Sequence, residues 1–126
     1  MSNGEVLDAS AVLALLQREP GSAQVELAGS VMNSVNVAEV VQKSAERGRP
    51  VDTLLQELTL LGLDLRPFGL EEAQLAGELI AVTRPYGLSL ADRACLATAK
   101  QLGYVAVTAD GSWTKPEHGV NVRSIR

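Results

Sequence analysis

Four acids stand at the edges of apolar runs: Asp8 after "EVL", Glu39 in "NVAEVV", Asp92 in "LSLADRACLATAKQLG" and Asp110 after "YVAVTA". Several carboxylates in a small volume repel one another and cannot all stay ionised unless a cation joins them. An all-oxygen donor set suits a hard divalent ion, Mg2+ or Mn2+, rather than zinc. Such an ion orients a water as nucleophile and polarises a phosphoryl oxygen, which points to phosphodiester hydrolysis. Ser10 and Thr108, each two residues from an acid, carry hydroxyls able to hold the carboxylates or a water. Every one of these residues also has a plain structural use. Asp8 can cap a helix starting at "ASAV". Glu39 can complete a box with Asn36 and pair with Lys43, and Asp92 can complete a capping box with Ser89. Asp110-Gly111 is a turn dipeptide. Ser10 can serve as a helix-start hydroxyl and Thr108 as a β-branched strand residue. Singly, the structural uses hold their own. What decides is whether the acids converge.

The elements that would position them alternate along the chain. "EVLD" reads as a strand and "ASAVLALLQRE" as a helix stopped by Pro20-Gly21. "SAQVELAG" reads as a short helix capped by Ser22, and "SVMNSV" as a strand. "NVAEVVQKSAERG" is a helix from Asn36 to Gly48, and Pro50 suits the first turn of the next, "VDTLLQELTLLG". "LDLRPF" alternates like a strand, and "GLEEAQLAGELIAVTR" is amphipathic and helical until "PYG". A helix runs from cap Ser89 to terminator Gly103 and puts Asp92 in line with Cys95, Leu96, Ala99 and Leu102, while Arg93 and Lys100 lie on another face. "YVAVTAD" and "VNVRSI" are the last strands.

Strand–helix alternation throughout implies a single α/β domain over residues 1–126, a three-layer α/β/α sandwich around a mostly parallel sheet. Open parallel sheets carry their sites outside the carboxyl ends of the strands. Asp8 and Asp110 end strands there. Glu39 lies in the first turn after the second strand. Asp92 starts a helix that runs antiparallel to the strand after it. All four acids map to one rim.

Composition narrows the partners. No apolar run approaches the ~20 residues of a membrane helix, and "MSNGEVLDAS" lacks the basic and apolar regions of a signal peptide. A cytoplasmic protein is expected, and the lone Cys95 fits a reducing compartment. The single His118 excludes a multi-histidine zinc site. A formal charge of −4 argues against broad nucleic-acid binding but permits a local basic rim from Lys43, Arg47, Arg49, Arg84, Arg93, Lys100 and Lys115.

"VLDASAVLALL", "NVAEVV", "LSLADRACLATAKQLG" and "VTADGSW" together resemble the PIN-domain nucleases, specifically the VapC toxins of toxin–antitoxin pairs. The resemblance spans nearly the whole chain in order and spacing. It implies a Mg2+- or Mn2+-dependent endoribonuclease in which Asp8, Glu39, Asp92 and Asp110 are the catalytic, metal-holding quartet. It also implies an RNA substrate, a cognate VapB-type antitoxin and a homodimer. Trp113 follows the last acid at the family's spacing. A haloacid-dehalogenase-like phosphatase would need an acid where Ser10 stands, and a receiver domain would need paired acids before Asp8. The remaining alternative is a catalytically silent PIN-like RNA-binding or protein-interaction module. The helices "SAVLALL" and "VDTLLQELTLLGL" carry more Leu and Val than one buried stripe needs, so a partner surface is expected on them.

Overall fold

Five short strands carry the fold in a computed structural model that describes residues 1–126: β1 (Glu5–Leu7), β2 (Val31–Asn33), β3 (Asp64–Arg66), β4 (Val105–Thr108) and β5 (Val122–Ser124). They pair in the order β3-β2-β1-β4-β5, and every neighbouring pair is parallel. Side-chain alternation along the strands separates two cores. Leu7, Met32 and Val107 face one side, against α1 (Ala9–Leu16), α2 (Ser34–Glu46) and α3 (Leu54–Leu60). Val6, Val31 and Ala106 face the other, against Cys95, Leu96 and Ala99 of α6 (Leu90–Leu102) and against Trp113. The central strands are apolar on both faces because both faces are covered. Each fully buried Leu, Val or Met contributes roughly 1.5–3 kcal/mol, well above an exposed ion pair such as Arg66–Asp64. The cores therefore fix where the strand ends point. No helix is long and apolar enough to cross a membrane.

The chain runs β1 to β3 toward one edge and returns for β4 and β5 on the other side of β1. The strand order thus reverses between β1 and β4, the place where an open α/β sheet leaves a crevice at its carboxyl edge. Asp8 follows β1 directly. Asp110 lies two residues beyond the end of β4.

Several element boundaries differ from the sequence expectations. α1 stops at Leu16, short of Glu19, because Arg18 takes a left-handed φ of 54°. "SAQVELAG" forms only a 3-10 turn, Ser22–Gln24, and Ser22 does not cap it. α2 begins at Ser34, with Asn33 rather than Asn36 as its cap, since the Asn33 side chain accepts from the Asn36 N–H. α3 begins at Leu54, leaving Pro50 outside the helix. The long amphipathic segment divides into α4 (Leu70–Glu78), α5 (Ile80–Thr83) and a 3-10 turn at Arg84–Tyr86. At the division the Val82 N–H bonds to Leu79 O in the tighter three-residue pattern, and Pro85 prevents the helix from continuing. Most of α1 is core: Ala9 and Ala11 through Ala14 are buried, so the expected surplus of apolar surface there is small.

Candidate functional site

Asp8 is the innermost acid, only 4% exposed. It caps α1, accepting from the Ala11 N–H at 2.9 Å. The Ser10 hydroxyl approaches its two oxygens at 2.8 and 2.9 Å, and Thr108 Oγ1 donates to Oδ2 at 2.8 Å. Thr108 also accepts from the Asp110 N–H at 3.1 Å, and Ser10 accepts from the Ala109 N–H at 2.9 Å. Two hydroxyls therefore tie the end of β1 to the end of β4. Burial pushes the Asp8 carboxyl up to about 6. The Ala11 N–H and the Thr108 and Ser10 hydroxyls oppose that rise, and the Asp92 charge adds to it.

Asp92 fills the structural role anticipated for it. The capping box is present: Ser89 N–H donates to Asp92 Oδ2 at 2.9 Å and Asp92 N–H donates to Ser89 Oγ at 3.1 Å. Even so, burial raises the Asp92 carboxyl. The Ser89 bonds lower it, the Asp110 charge raises it and Arg93 lowers it. Glu39 sits in the second turn of α2, not the first, and caps nothing, because Asn33 already takes the Asn36 N–H. Burial raises its carboxyl, the Asp92 charge raises it further, and Lys43 lowers it. Asp110 is exposed and receives the Ser112 N–H at 2.9 Å, which is the expected turn. Asp92 is thus the electrostatic centre of the group, acting on Asp8 and Glu39 and feeling Asp110. Burial and the charges of Asp8 and Asp92 also hold the Cys95 thiol well above its usual range, which disqualifies it as a nucleophile.

Two asparagines position these acids, and the sequence reading assigned neither this part. The buried Asn36 accepts from the Ala9 N–H at 3.1 Å and donates to Asn33 Oδ1 at 3.1 Å and to Ala91 O at 3.2 Å. Asn33 donates to Ala94 O and Thr98 Oγ1, and Thr98 donates on to Glu72. These three contacts of the Asn36 side chain reach the first turns of α1 and α6 and the end of β2, immediately beside Asp8 and Asp92. The signal was two asparagines three apart in an otherwise apolar segment, "VMNSVNV".

A family profile for the PIN domain matches residues 6–118. The chain belongs to the PIN domain family. No curated protein sequence matches significantly. Among solved structures, a chain of FitAcB from Neisseria gonorrhoeae is 21% identical with a TM-score of 0.71, over 96% of this chain and 97% of that one. A chain of a toxin–antitoxin complex from Klebsiella pneumoniae is 15% identical with a TM-score of 0.72, over 97% and 98%. VapC20 of Mycobacterium tuberculosis, described as a sarcin–ricin loop cleaving toxin, is 15% identical with a TM-score of 0.68, over 87% and 92%. At these identities the likeness is one of fold.

The donor chemistry of this PIN domain fits a hard divalent cation: four carboxylates with hydroxyl support, three of them with carboxyls raised in its absence. The fit is loose in one respect. No three Asp, Glu, His or Cys side chains stand close enough together to bind one ion jointly. Magnesium commonly takes only one or two protein carboxylates and keeps several waters, so this spacing is compatible with it.

Two outcomes follow. The folded Asp8 carboxyl titrates near 6 against an ordinary 3.8, so between those values the folded protein keeps a proton that the unfolded chain has lost. Its contribution to stability is full below the lower value and is lost as pH rises through the upper one, a change on the order of 3 kcal/mol at most. Asp8→Asn should flatten that decline and, in chelator near neutral pH, raise stability by ~1–3 kcal/mol in urea unfolding. A variant no more stable than wild type there would contradict the assignment. Asn36→Ala should instead cost about 2–4 kcal/mol by the same measurement, because it leaves the Ala9 N–H and Ala91 O without their partner.

Proposed function

We propose that this chain is a metal-dependent endoribonuclease, the toxin component of a VapBC-type toxin–antitoxin pair, with Asp8, Glu39, Asp92 and Asp110 as its acidic site. The observation that carries the reading is the mutual electrostatic influence of these acids through Asp92 at the carboxyl rim of the sheet. Caps and turns alone have no reason to converge there. A Mg2+ or Mn2+ ion would supply charge neutralisation and polarise the phosphoryl group and the attacking water. Asp8 and Asp92 would hold it, with Glu39 and Asp110 completing the acidic group, since Asp92 acts on Asp8 and Glu39 and feels Asp110. Ser10 and Thr108 fix the Asp8 oxygens, so the carboxylate does not have to reorganise when the cation arrives. Asn36 keeps the helix starts that carry Asp8 and Asp92 at a constant separation.

The wide spacing of the acids favours one rival reading, a catalytically silent PIN module that binds RNA or protein. Against it stands the energetic cost of burying Asp8 as an acid, which a purely structural cap does not need. An antitoxin partner is supported by the company that this fold keeps, since the similar Klebsiella pneumoniae chain comes from a toxin–antitoxin complex. It is supported also by Leu55, Leu60 and Leu61, which lie exposed on and just beyond α3 beside a cleft lined by Leu16, Pro50 and Leu54. A homodimer and a cytoplasmic location complete the proposal.

Asp92→Asn separates cap from site on one preparation. Asn keeps an acceptor for the Ser89 N–H, so stability should change by about 1 kcal/mol or less. Magnesium-dependent RNA cleavage should fall by several orders of magnitude. Cleavage near the wild-type rate would return Asp92 to the role of cap, and full wild-type activity in EDTA would remove the metal mechanism.

A further inference from the structure

Beside the acids, on the α1–α2 side of the rim, lies a cleft of about 210 Å3 whose cations have no part in the proposed chemistry. Ser10 and Glu39 form its inner end, and Lys43, Arg47, Glu19 and Arg126 line the remainder. Glu39, Lys43 and Arg47 follow at successive intervals of four, so they share one side of α2 and its C-terminal end. α2 starts at the carboxyl edge of β2 and leads away from the rim. Eight residues at 1.5 Å place Arg47 about 12 Å beyond Glu39 along the axis.

The charges along this cleft are not balanced within the protein. Glu19 is already paired with Arg126 at 3.3 Å, and Arg126 is further held by Pro20 O at 3.0 Å. The ion pairs of the chain are Arg66–Asp64, Arg123–Glu5 and Arg126–Glu19, so neither Lys43 nor Arg47 has an acidic partner within 4 Å. Both are exposed. On a chain of net charge −4, the three cations of the cleft, Lys43, Arg47 and Arg126, outnumber its two acids, Glu19 and Glu39, a local reversal of sign behind the acidic site. Lys43 and Arg47 present donors suited to phosphate oxygens, the Arg as a planar fork and the Lys as a point charge.

We infer that this cleft is a phosphate-binding track, in which Lys43 and Arg47 hold consecutive backbone phosphates of a single RNA strand while the scissile bond lies at the acids. The inference rests on the nuclease reading for its choice of ligand. A nucleic-acid strand rises by ~3.4 Å per nucleotide in a helix, so the ~6 Å between Lys43 and Arg47 along the axis matches the spacing of neighbouring phosphates. The acids repel the same phosphates, and the cations behind them give the strand a reason to stay and a direction in which to lie. Lys43 and Arg47 act here as binding residues, not as participants in bond breaking.

The test is binding of a fluorescein-labelled, mixed-sequence single-stranded RNA by anisotropy, in EDTA and over a range of salt, for wild type and for the Lys43→Gln, Arg47→Gln double variant. Losing two phosphate contacts should weaken binding by tenfold or more at low salt. It should also flatten the dependence of log affinity on log salt by about 1.4, at ~0.7 for each phosphate of a single strand. Equal affinity and equal slope for both proteins would overturn the track, even if the double variant fails to bind a protein partner. The two readings fail separately. Wild type that binds RNA through the cleft but never cleaves it in Mg2+ or Mn2+ would overturn the nuclease and support the track. Wild type that cleaves RNA, with binding indifferent to both substitutions, would do the reverse.

Discussion

The rest of the structure depends on a buried carboxylate. Asp8 leaves water at the end of the central strand, where an uncompensated charge would cost several kcal/mol. The fold answers with a backbone N–H and two hydroxyls, and even so the carboxyl remains up at about 6. Three donors that still leave an acid reluctant to ionise describe a group prepared for something more positive than a hydroxyl. Its neighbours have the same character. Asp92 is satisfied as a cap and yet raised, and Glu39 is raised although Lys43 is close by.

From that constraint the architecture around the rim follows. Thr108 must end β4 beside β1, and it does so because β1 and β4 pair in register from Glu5–Val105 to Leu7–Val107. Ser10 must stand in the first turn of α1, and its own acceptance of the Ala109 N–H keeps it there. Asn36 must reach both α1 and α6, which requires α2 to begin at the end of β2, inside the layer and not above it. Each of these polar contacts joins two elements at the rim. Local stability and site geometry are therefore the same set of bonds, and the fold tolerates the repulsion among the acids because these bonds are fully satisfied.

Much of this was legible in the residues. The parallel sheet was readable from the apolar strands spaced by helices, and a common rim for the acids followed from the strand ends together with the direction of the helices. The Ser89 cap and the Gly103 terminator stood where their chemistry demands, with Gly103 at φ 70°. What escaped was decided by long-range contact. Asn36 looked like a cap because asparagine before an apolar helix commonly is one; only the arrival of α6 turns it into a bridge. The helix at Leu70 looked continuous because its apolar period continues past Leu79, where the chain tightens instead. Glu39, read as half of a box, has no partner to complete it. The spacing of the acids, too wide for three of them to share an ion directly, is a tertiary distance that no sequence interval encodes.

The central claim is that the protons on these acids stand where a divalent cation binds. It can be tested without substrate. Mn2+ is titrated calorimetrically into the metal-free protein at a series of pH values around 6, with proton release followed in parallel. Binding should be accompanied by release of protons, largest near and below pH ~6, and affinity should rise with pH through that range before levelling off. Binding with no proton release and no pH dependence, or no saturable binding at all, would contradict it.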